Sequence, residues 1–194
     1  MTHWQIEIFE ENAAVLPEYE KISIAFTVKT MFSVELVENG LGGFSLIEET
    51  LEKPFLKDYD EHETERPSHW AERFDISNWG FFTAFDGEKR VGAAAIALKT
   101  PEIFKLDGRE DSACLWDLRI APEYRGKGIG KRLFAHAVNW SKEKGCRLLM
   151  VETQNVNVPA CRFYARQGCK LGAVNRFAYP EFMNEIQLVW YRNL

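Results

Sequence analysis

Apolar positions along this chain fall into short alternating or continuous runs separated by turn residues, with two longer stretches at helical spacing. Ile6-Glu7-Ile8-Phe9 predicts a first strand, and Ala13 to Tyr19 a short helix or loop broken by Pro17. Phe26-Thr27-Val28, Phe32 to Leu36 and Phe44 to Glu49 read as extended, with the turn cluster Asn39-Gly40-Leu41-Gly42-Gly43 between the last two. Residues 32 to 49 therefore predict a hairpin with a loose loop. Lys53 to Asp60 and the charged run to Arg66 predict an ordered loop, and Ser68 to Phe74 a short helix. Gly80 to Phe85, the turn Asp86-Gly87-Glu88-Lys89 and Val91 to Leu98 predict a second hairpin, followed by a central strand over Ala113 to Ile120. Ile129 to Lys144 predicts a helix stopped by Gly145, Arg147 to Glu152 a buried strand, and Pro159 to Gln167 a second helix stopped by Gly168. Ile186 to Tyr191 is expected to close the sheet. There is no internal repeat and no low-complexity segment, so the pattern predicts one domain over 1–194.

Composition narrows the class. A chain of 194 residues with 46% hydrophobic and 27% charged positions is long enough for a sizeable core and ordinary for a globular protein. Lys+Arg number 24 and Asp+Glu 29, giving 24 − 29 = −5, which argues against nucleic acid as the main partner and suits a cationic substrate. No apolar run approaches the ~20 residues of a membrane span, and residues 1–7 lack the pattern of a signal peptide. Cys114, Cys146, Cys161 and Cys169 include no C-x-x-C pair, so they are expected as reduced thiols in a cytoplasmic protein. No His/Cys/Asp cluster has metal-ligand spacing, and none of His3, His62, His69 or His136 is placed in a site.

The most informative stretch is Arg125-Gly126-Lys127-Gly128-Ile129-Gly130, lying between the central strand and the long helix. Strand, glycine-rich turn and helix start together build an anion site: glycine admits positive φ, and the first helical N–H groups and the macrodipole face the anion. A Walker A loop needs Gly five residues after Gly126, where Lys131 stands. A G-x-G-x-x-G fingerprint needs Gly at 131 or 133, which hold Lys131 and Leu133. The alternative reading is a turn with solvated lysines. A second motif follows one helix and one strand later, Asn157-Val158-Pro159-Ala160-Cys161-Arg162-Phe163-Tyr164, where Asn157 can cap a helix and Pro159 suits its first turn. Phe163 is expected in a core; Tyr164 carries a polar group that needs a partner when buried.

Arg-x-x-Gly-x-Gly followed by Asn-x-x-Ala-x-x-Phe-Tyr-x-x-x-Gly resembles the GCN5-related N-acetyltransferases, over residues 79 to 191 and most specifically between Trp116 and Gly168. The resemblance implies an α/β (α+β) fold, with a central mixed, mostly antiparallel twisted sheet flanked by helices and splayed central strands at the acyl-CoA site. Residues 1–78 would then supply substrate-side helices and a hairpin. It implies acetyl-CoA as donor, its pyrophosphate on Arg125, Gly126, Lys127, Gly128, Ile129, Gly130 and Lys131. Its pantetheine would lie along Leu118, Arg119 and Ile120, with Asn157, Ala160 and Phe163 beside it. In such a site the N–H near Ile120 polarises the thioester and Tyr164 protonates the leaving thiolate. Asp117 and Glu152 are candidates for the base or for attracting a cationic amine; an ion pair with Arg119 or Arg147 is the other reading of Asp117. The stretches 118–130 and 151–164, with 44–49 and 54–59, also resemble bacterial streptothricin acetyltransferases, which acetylate an amine of the antibiotic's β-lysine chain. Tyr59, Asp60, Trp79, Asp117, Glu152, Tyr179 and Glu181 are then expected to line an acidic pocket. Gly168-Cys169 departs from the more usual Gly-Phe after the tyrosine helix. The expected partner is a small-molecule amine, with the protein a monomer or homodimer. The competing readings are a protein or peptide N-acetyltransferase and a non-catalytic acyl-CoA-binding module.

Overall fold

The computed structural model describes residues 5–103, 106, 109–182 and 184–194; His3 lies outside them. In chain order the elements are β1 (Ile6–Glu11), α1 (Leu16–Tyr19), β2 (Phe26–Leu36), β3 (Phe44–Lys57), α2 (Trp70–Arg73), β4 (Gly80–Asp86), β5 (Lys89–Leu98), β6 (Ser112–Ile120), α3 (Ile129–Glu143), β7 (Leu148–Gln154), α4 (Val158–Arg166), β8 (Lys170–Asn175) and β9 (Gln187–Asn193). The fold is mixed α/β and its strand pairing mostly antiparallel. Two compact units emerge, one of Met1–Ala25, Asp58–Val151 and Asn193–Leu194, the other of Phe26–Lys57 and Glu152–Arg192. The stretch 26–57, expected as part of an N-terminal region, thus groups with the C-terminal elements. No helix among the described residues is long and apolar enough to cross a membrane.

In the first unit β1, β4, β5 and β6 pair antiparallel in that order, and β6 pairs parallel with Leu148–Val151 of β7. α3 packs on β4, β5 and β6 through Ile129, Leu133, Phe134, Ala137, Val138 and Trp140, an apolar stripe at helical spacing. The alanines 93–95 of β5, all fully buried, keep that strand thin beneath its neighbours. Opposite β5 the register of β6 slips by one residue, since Ala95 faces Asp117 and Ile96 faces Leu115. Trp116 is the extra residue of this bulge. Its ring packs against Trp70, Phe74 and Trp79. The β6–β7 ladder runs from Ser112/Leu148 to Leu115/Val151 and ends at the bulge.

In the second unit β2 and β3 form a two-stranded antiparallel ribbon. β3 runs on to Lys57 through the stretch 53–57, where a loop was expected. That stretch is mostly exposed, and only backbone pairing, not an apolar face, makes it a strand. The pairing jumps from Val28/Phe55 to Thr30/Thr50, so residues 51–54 stand opposite Lys29 alone. Pro54 lies in this irregular stretch, where its missing N–H breaks no regular ladder. β8, not expected from the sequence, pairs with β9, so β9 is not the closing strand. Gly172 in the middle of β8 masks its strand pattern, and it is required there: a Cβ would come within 2.4 Å of the Tyr191 ring. Asn155, 1% exposed, ties this unit together. Its Nδ2 donates to Phe32 O (2.9 Å) and Asn184 O (3.2 Å), and its Oδ1 accepts from Ile186 N (2.8 Å).

Candidate active site

The glycine-rich turn has the geometry its sequence requires. Gly126 and Gly128 take φ of +77° and +83°, the left-handed region. Gly128 is the N-cap of α3 and provides no side-chain cap. The first i→i−4 bond of the helix runs from Arg132 N to Gly128 O at 3.2 Å. The N–H groups of Ile129, Gly130 and Lys131 thus precede the intrahelical ladder, an arrangement suited to an anion. A Cβ at Gly128 would meet nothing within 4 Å, so a substitution there acts through backbone strain and through what its side chain presents to an anion, not through a clash with protein.

Arg125 behaves differently from its neighbours. Its Nε donates to Ile120 O (2.9 Å), Nη1 to Ala25 O (2.8 Å) and Nη2 to Ser23 O (3.0 Å). This guanidinium staples the segment before β2 to the end of β6, rather than being held for a phosphate. The same contact occupies the Ile120 carbonyl, one of the groups expected to pair with pantetheine. The Ile120 N–H is oriented otherwise: Ala121 N donates to Val91 O of β5 at 2.9 Å, and alternation along an extended strand turns the preceding N–H to the other edge.

Asp117 and Arg119 share a face of β6 and are both buried. Arg119 Nε and Nη2 donate to Asp117 Oδ1 (3.0 Å) and Oδ2 (2.7 Å). Its Nη1 and Nη2 donate to Asp60 Oδ2 (2.7 Å) and Oδ1 (3.2 Å), and Nη1 also to Ile22 O (3.1 Å). Tyr19 Oη donates to Asp117 Oδ1 at 2.7 Å. Burial alone would lower the Arg119 pKa, but the Asp117 charge and its hydrogen bonds outweigh it and hold the guanidinium charged well above its ordinary range. Burial and then the Asp117 charge push the Tyr19 hydroxyl far up. Burial raises the Asp60 carboxyl despite the Arg119 hydrogen bonds that oppose it. Both Asp117 oxygens are committed within this cluster, so of the two readings of Asp117 the geometry favours the ion pair over the base. Asp60, named for an acidic pocket, instead grips Arg119. Arg119 itself is a structural guanidinium with a side chain 1% exposed, leaving only its backbone for a cofactor. Trp79, also named for the pocket, is core: it is 7% exposed, with Nε1 donating to Thr100 Oγ1 at 2.8 Å.

The second unit presents Glu152 and Gln154 on one face of β7, with Thr153 buried on the other. Glu152 Oε1 accepts from Tyr179 Oη at 2.5 Å and from Gln154 Nε2 at 3.4 Å, and Oε2 accepts from Gln187 Nε2 at 2.7 Å. Gln154 Nε2 also donates to Tyr179 Oη at 2.9 Å. Thr153 Oγ1 accepts from Trp190 Nε1 at 2.8 Å, fixing the strand from behind. α4 begins as its sequence predicts, with Asn157 Oδ1 accepting from Ala160 N at 3.1 Å and Pro159 in the first turn. Phe163, expected in a core, is half-buried, and Tyr164 is buried at 6% exposure, its ring edge-on to Phe163 with centroids 5.1 Å apart. Cys169 fills the position after Gly168 as a buried thiol, and burial raises its pKa to about 11. Glu181 is exposed, and His136 lies exposed on α3 near Phe82. Among the described residues no group of His, Cys, Asp and Glu is arranged to hold a metal.

Fold and motifs define an acyltransferase of the type the two glycine- and tyrosine-bearing motifs imply. The profile of the acetyltransferase (GNAT) family matches residues 44–169, and the chain belongs to that family. It is an acetyl-CoA-dependent N-acetyltransferase. Streptothricin acetyltransferase A of Bacillus subtilis (strain 168) is 31% identical over 159 residues, 79% of this chain and 81% of that one. Streptothricin acetyltransferase of Streptomyces lavendulae is 26% identical over 175 residues, 90% of this chain and 87% of that one. A Bacillus anthracis str. Ames structure described as a streptothricin acetyltransferase, solved with acetyl coenzyme A, shares the fold with a TM-score of 0.77 at 24% identity, covering 98% of this chain and all of that one.

Proposed function

We propose that the chain transfers the acetyl group to a primary amine of a small polycationic molecule of the streptothricin class. The observation that carries this reading is the reach of the similarity: the two streptothricin acetyltransferases match over 79% and 90% of the chain, well beyond the cofactor motifs. The net charge of −5 and the exposed carboxylates around the molecule favour a cationic acceptor. Four cysteines buried in the fold fit a protein of the reducing cytoplasm.

Bound acetyl-CoA supplies an activated thioester. The N–H groups of Ile129, Gly130 and Lys131 hold its pyrophosphate, with Gly126 and Gly128 admitting close approach and Lys127 and Lys131 adding charge. The backbone of Leu118 and Ile120 lines the pantetheine, and the Ile120 N–H stabilises the oxyanion, a contribution of about 3 kcal/mol for such a donor. Asn157, Ala160 and Phe163 complete the cofactor contacts. A primary amine near pKa 10.4 must lose its proton before attack, at a cost of about three pH units at pH 7. Glu152 holds the ammonium, whose first proton passes to solvent water. The neutral amine attacks the thioester carbonyl as the C–S bond breaks, the Tyr164 hydroxyl gives its proton to the departing thiolate, and the second proton lost from the nitrogen restores the hydroxyl.

The test is acetyl transfer followed by mass spectrometry of the acceptor, with streptothricin, spermidine, an aminoglycoside and a lysine peptide in parallel. Acetylated streptothricin supports the reading; transfer to the peptide alone replaces it with a protein N-acetyltransferase. Gly128→Glu tests the loop. The left-handed φ costs a side chain about 1 kcal/mol, and a carboxylate is placed where the anion binds. Calorimetric titration of the folded variant should find acetyl-CoA affinity reduced by at least tenfold; wild-type affinity would remove the loop from the site.

A further inference from the structure

Glu152 does not stand alone on β7. Two donors from outside that strand close on its two oxygens, Tyr179 Oη on Oε1 at 2.5 Å and Gln187 Nε2 on Oε2 at 2.7 Å. Gln154, two residues along the same face, donates to Tyr179 Oη at 2.9 Å and so orients the tyrosine hydroxyl toward the carboxylate. A carboxylate can accept about four hydrogen bonds, so two strong donors on different oxygens fix its plane without exhausting it. Tyr179 lies in the connection between β8 and β9, and Gln187 opens β9. Asn155 holds that connection through Asn184 O and Ile186 N. The loop also carries Phe182, whose ring lies 4.6 Å from Lys57 Nζ while Glu185 pairs with the same ammonium at 2.5 Å. An aromatic side chain and a carboxylate from this one loop thus already seat an ammonium of the chain itself.

We propose that Tyr179 and Gln187 are positioning residues for acceptor recognition: they fix the Glu152 carboxylate as a rigid anion that selects an ammonium-bearing acceptor. The inference rests on Glu152 contacting the acceptor, as proposed above. A carboxylate free to rotate would spend side-chain entropy each time it closed on an amine. Held by Tyr179 and Gln187, Glu152 meets the ammonium in one orientation, and the cost has been met in folding. Neither residue needs to touch the reacting atoms.

Tyr179→Phe and Gln187→Met each remove one donor with little change of volume. Steady-state kinetics would be measured with streptothricin and with spermidine as acceptors, alongside Glu152→Gln. Loss of a hydrogen bond to a charged group predicts a KM for the amine about tenfold or more higher in each variant. The KM for acetyl-CoA and the midpoint of thermal unfolding should stay at wild-type values, a split that a merely structural role would not produce. Gln187→Asn, which keeps an amide donor on a shorter side chain, is expected to raise the amine KM less than Gln187→Met. Wild-type amine KM in Tyr179→Phe and Gln187→Met, with Glu152→Gln still impaired, overturns the proposal and leaves the role of Glu152 intact. Unchanged amine KM in Glu152→Gln, or no wild-type turnover with either amine, overturns the acceptor reading and this inference with it.

Discussion

Arg119→Met should lower the midpoint of thermal unfolding by roughly 10 °C. Removing one partner of a buried ion pair costs about 3–5 kcal/mol, and each kcal/mol moves the midpoint by about 2–4 °C in a chain of this size. The size of the effect comes from what stays behind. Asp117 and Asp60 would face each other without the guanidinium that both grip, and the Ile22 carbonyl would lose a donor. Burial of Asp60 already disfavours its charge with Arg119 present. Arg119→Lys should rescue little, because one ammonium cannot supply two bidentate pairs and a carbonyl contact at once. Pairing Arg119→Met with Asp117→Leu should recover part of the loss, since the orphaned charge goes with it. A melting series that finds the double variant less stable than wild type by the full sum of the losses in Arg119→Met alone and Asp117→Leu alone would show that the residues are not coupled.

The second large effect is catalytic. Tyr164→Phe should lower kcat by about a hundredfold or more, the range expected for loss of a positioned acid, with the dissociation constant for acetyl-CoA within about twofold of wild type. Tyr164 is buried on α4, and phenylalanine fills the same space, so the helix and its contact with Phe163 should survive. Single-turnover measurements separate the chemical step from product release. An unchanged chemical rate would take the acid role away from Tyr164 and leave the thiolate to be protonated by water.

Much of the frame was legible because it is written in local spacing. Gly126 and Gly128, an apolar stripe from Ile129 to Trp140, and Asn157 with Pro159 each determine their own few residues, and the structure places α3 and α4 within a residue or two of expectation. β3 beyond Glu49 was not legible, because its last residues are exposed and are held by β2 backbone rather than by a hydrophobic face. β8 was hidden by Gly172, whose value lies in a contact with Tyr191 19 residues away. The site divides in the same way. Asp117 and Arg119, two apart on one strand, could be read as an ion pair; Asp60, which completes the cluster, lies 59 positions from Arg119 and leaves no mark in the intervening spacing. Arg125 looked like part of an anion site because it adjoins one, yet its partners Ser23 and Ala25 lie 102 and 100 positions earlier. Gln187 had no signal, since nothing in the residues around it points to Glu152, 35 positions away.

The cysteines carry a practical consequence. Cys114, Cys146, Cys161 and Cys169 are all buried, at most 6% exposed, and burial raises the Cys161 and Cys169 thiols to about 11. Thiolate is the form that reacts and all four sulfurs are buried, so alkylating and disulfide-exchange reagents reach them slowly in the folded protein. The chain therefore carries its own clock for opening: the rate at which each thiol is captured reports how often its surroundings come apart. One cysteine placed on the surface would stand out against that silent background, ready to carry a fluorophore or spin label without removal of the native four.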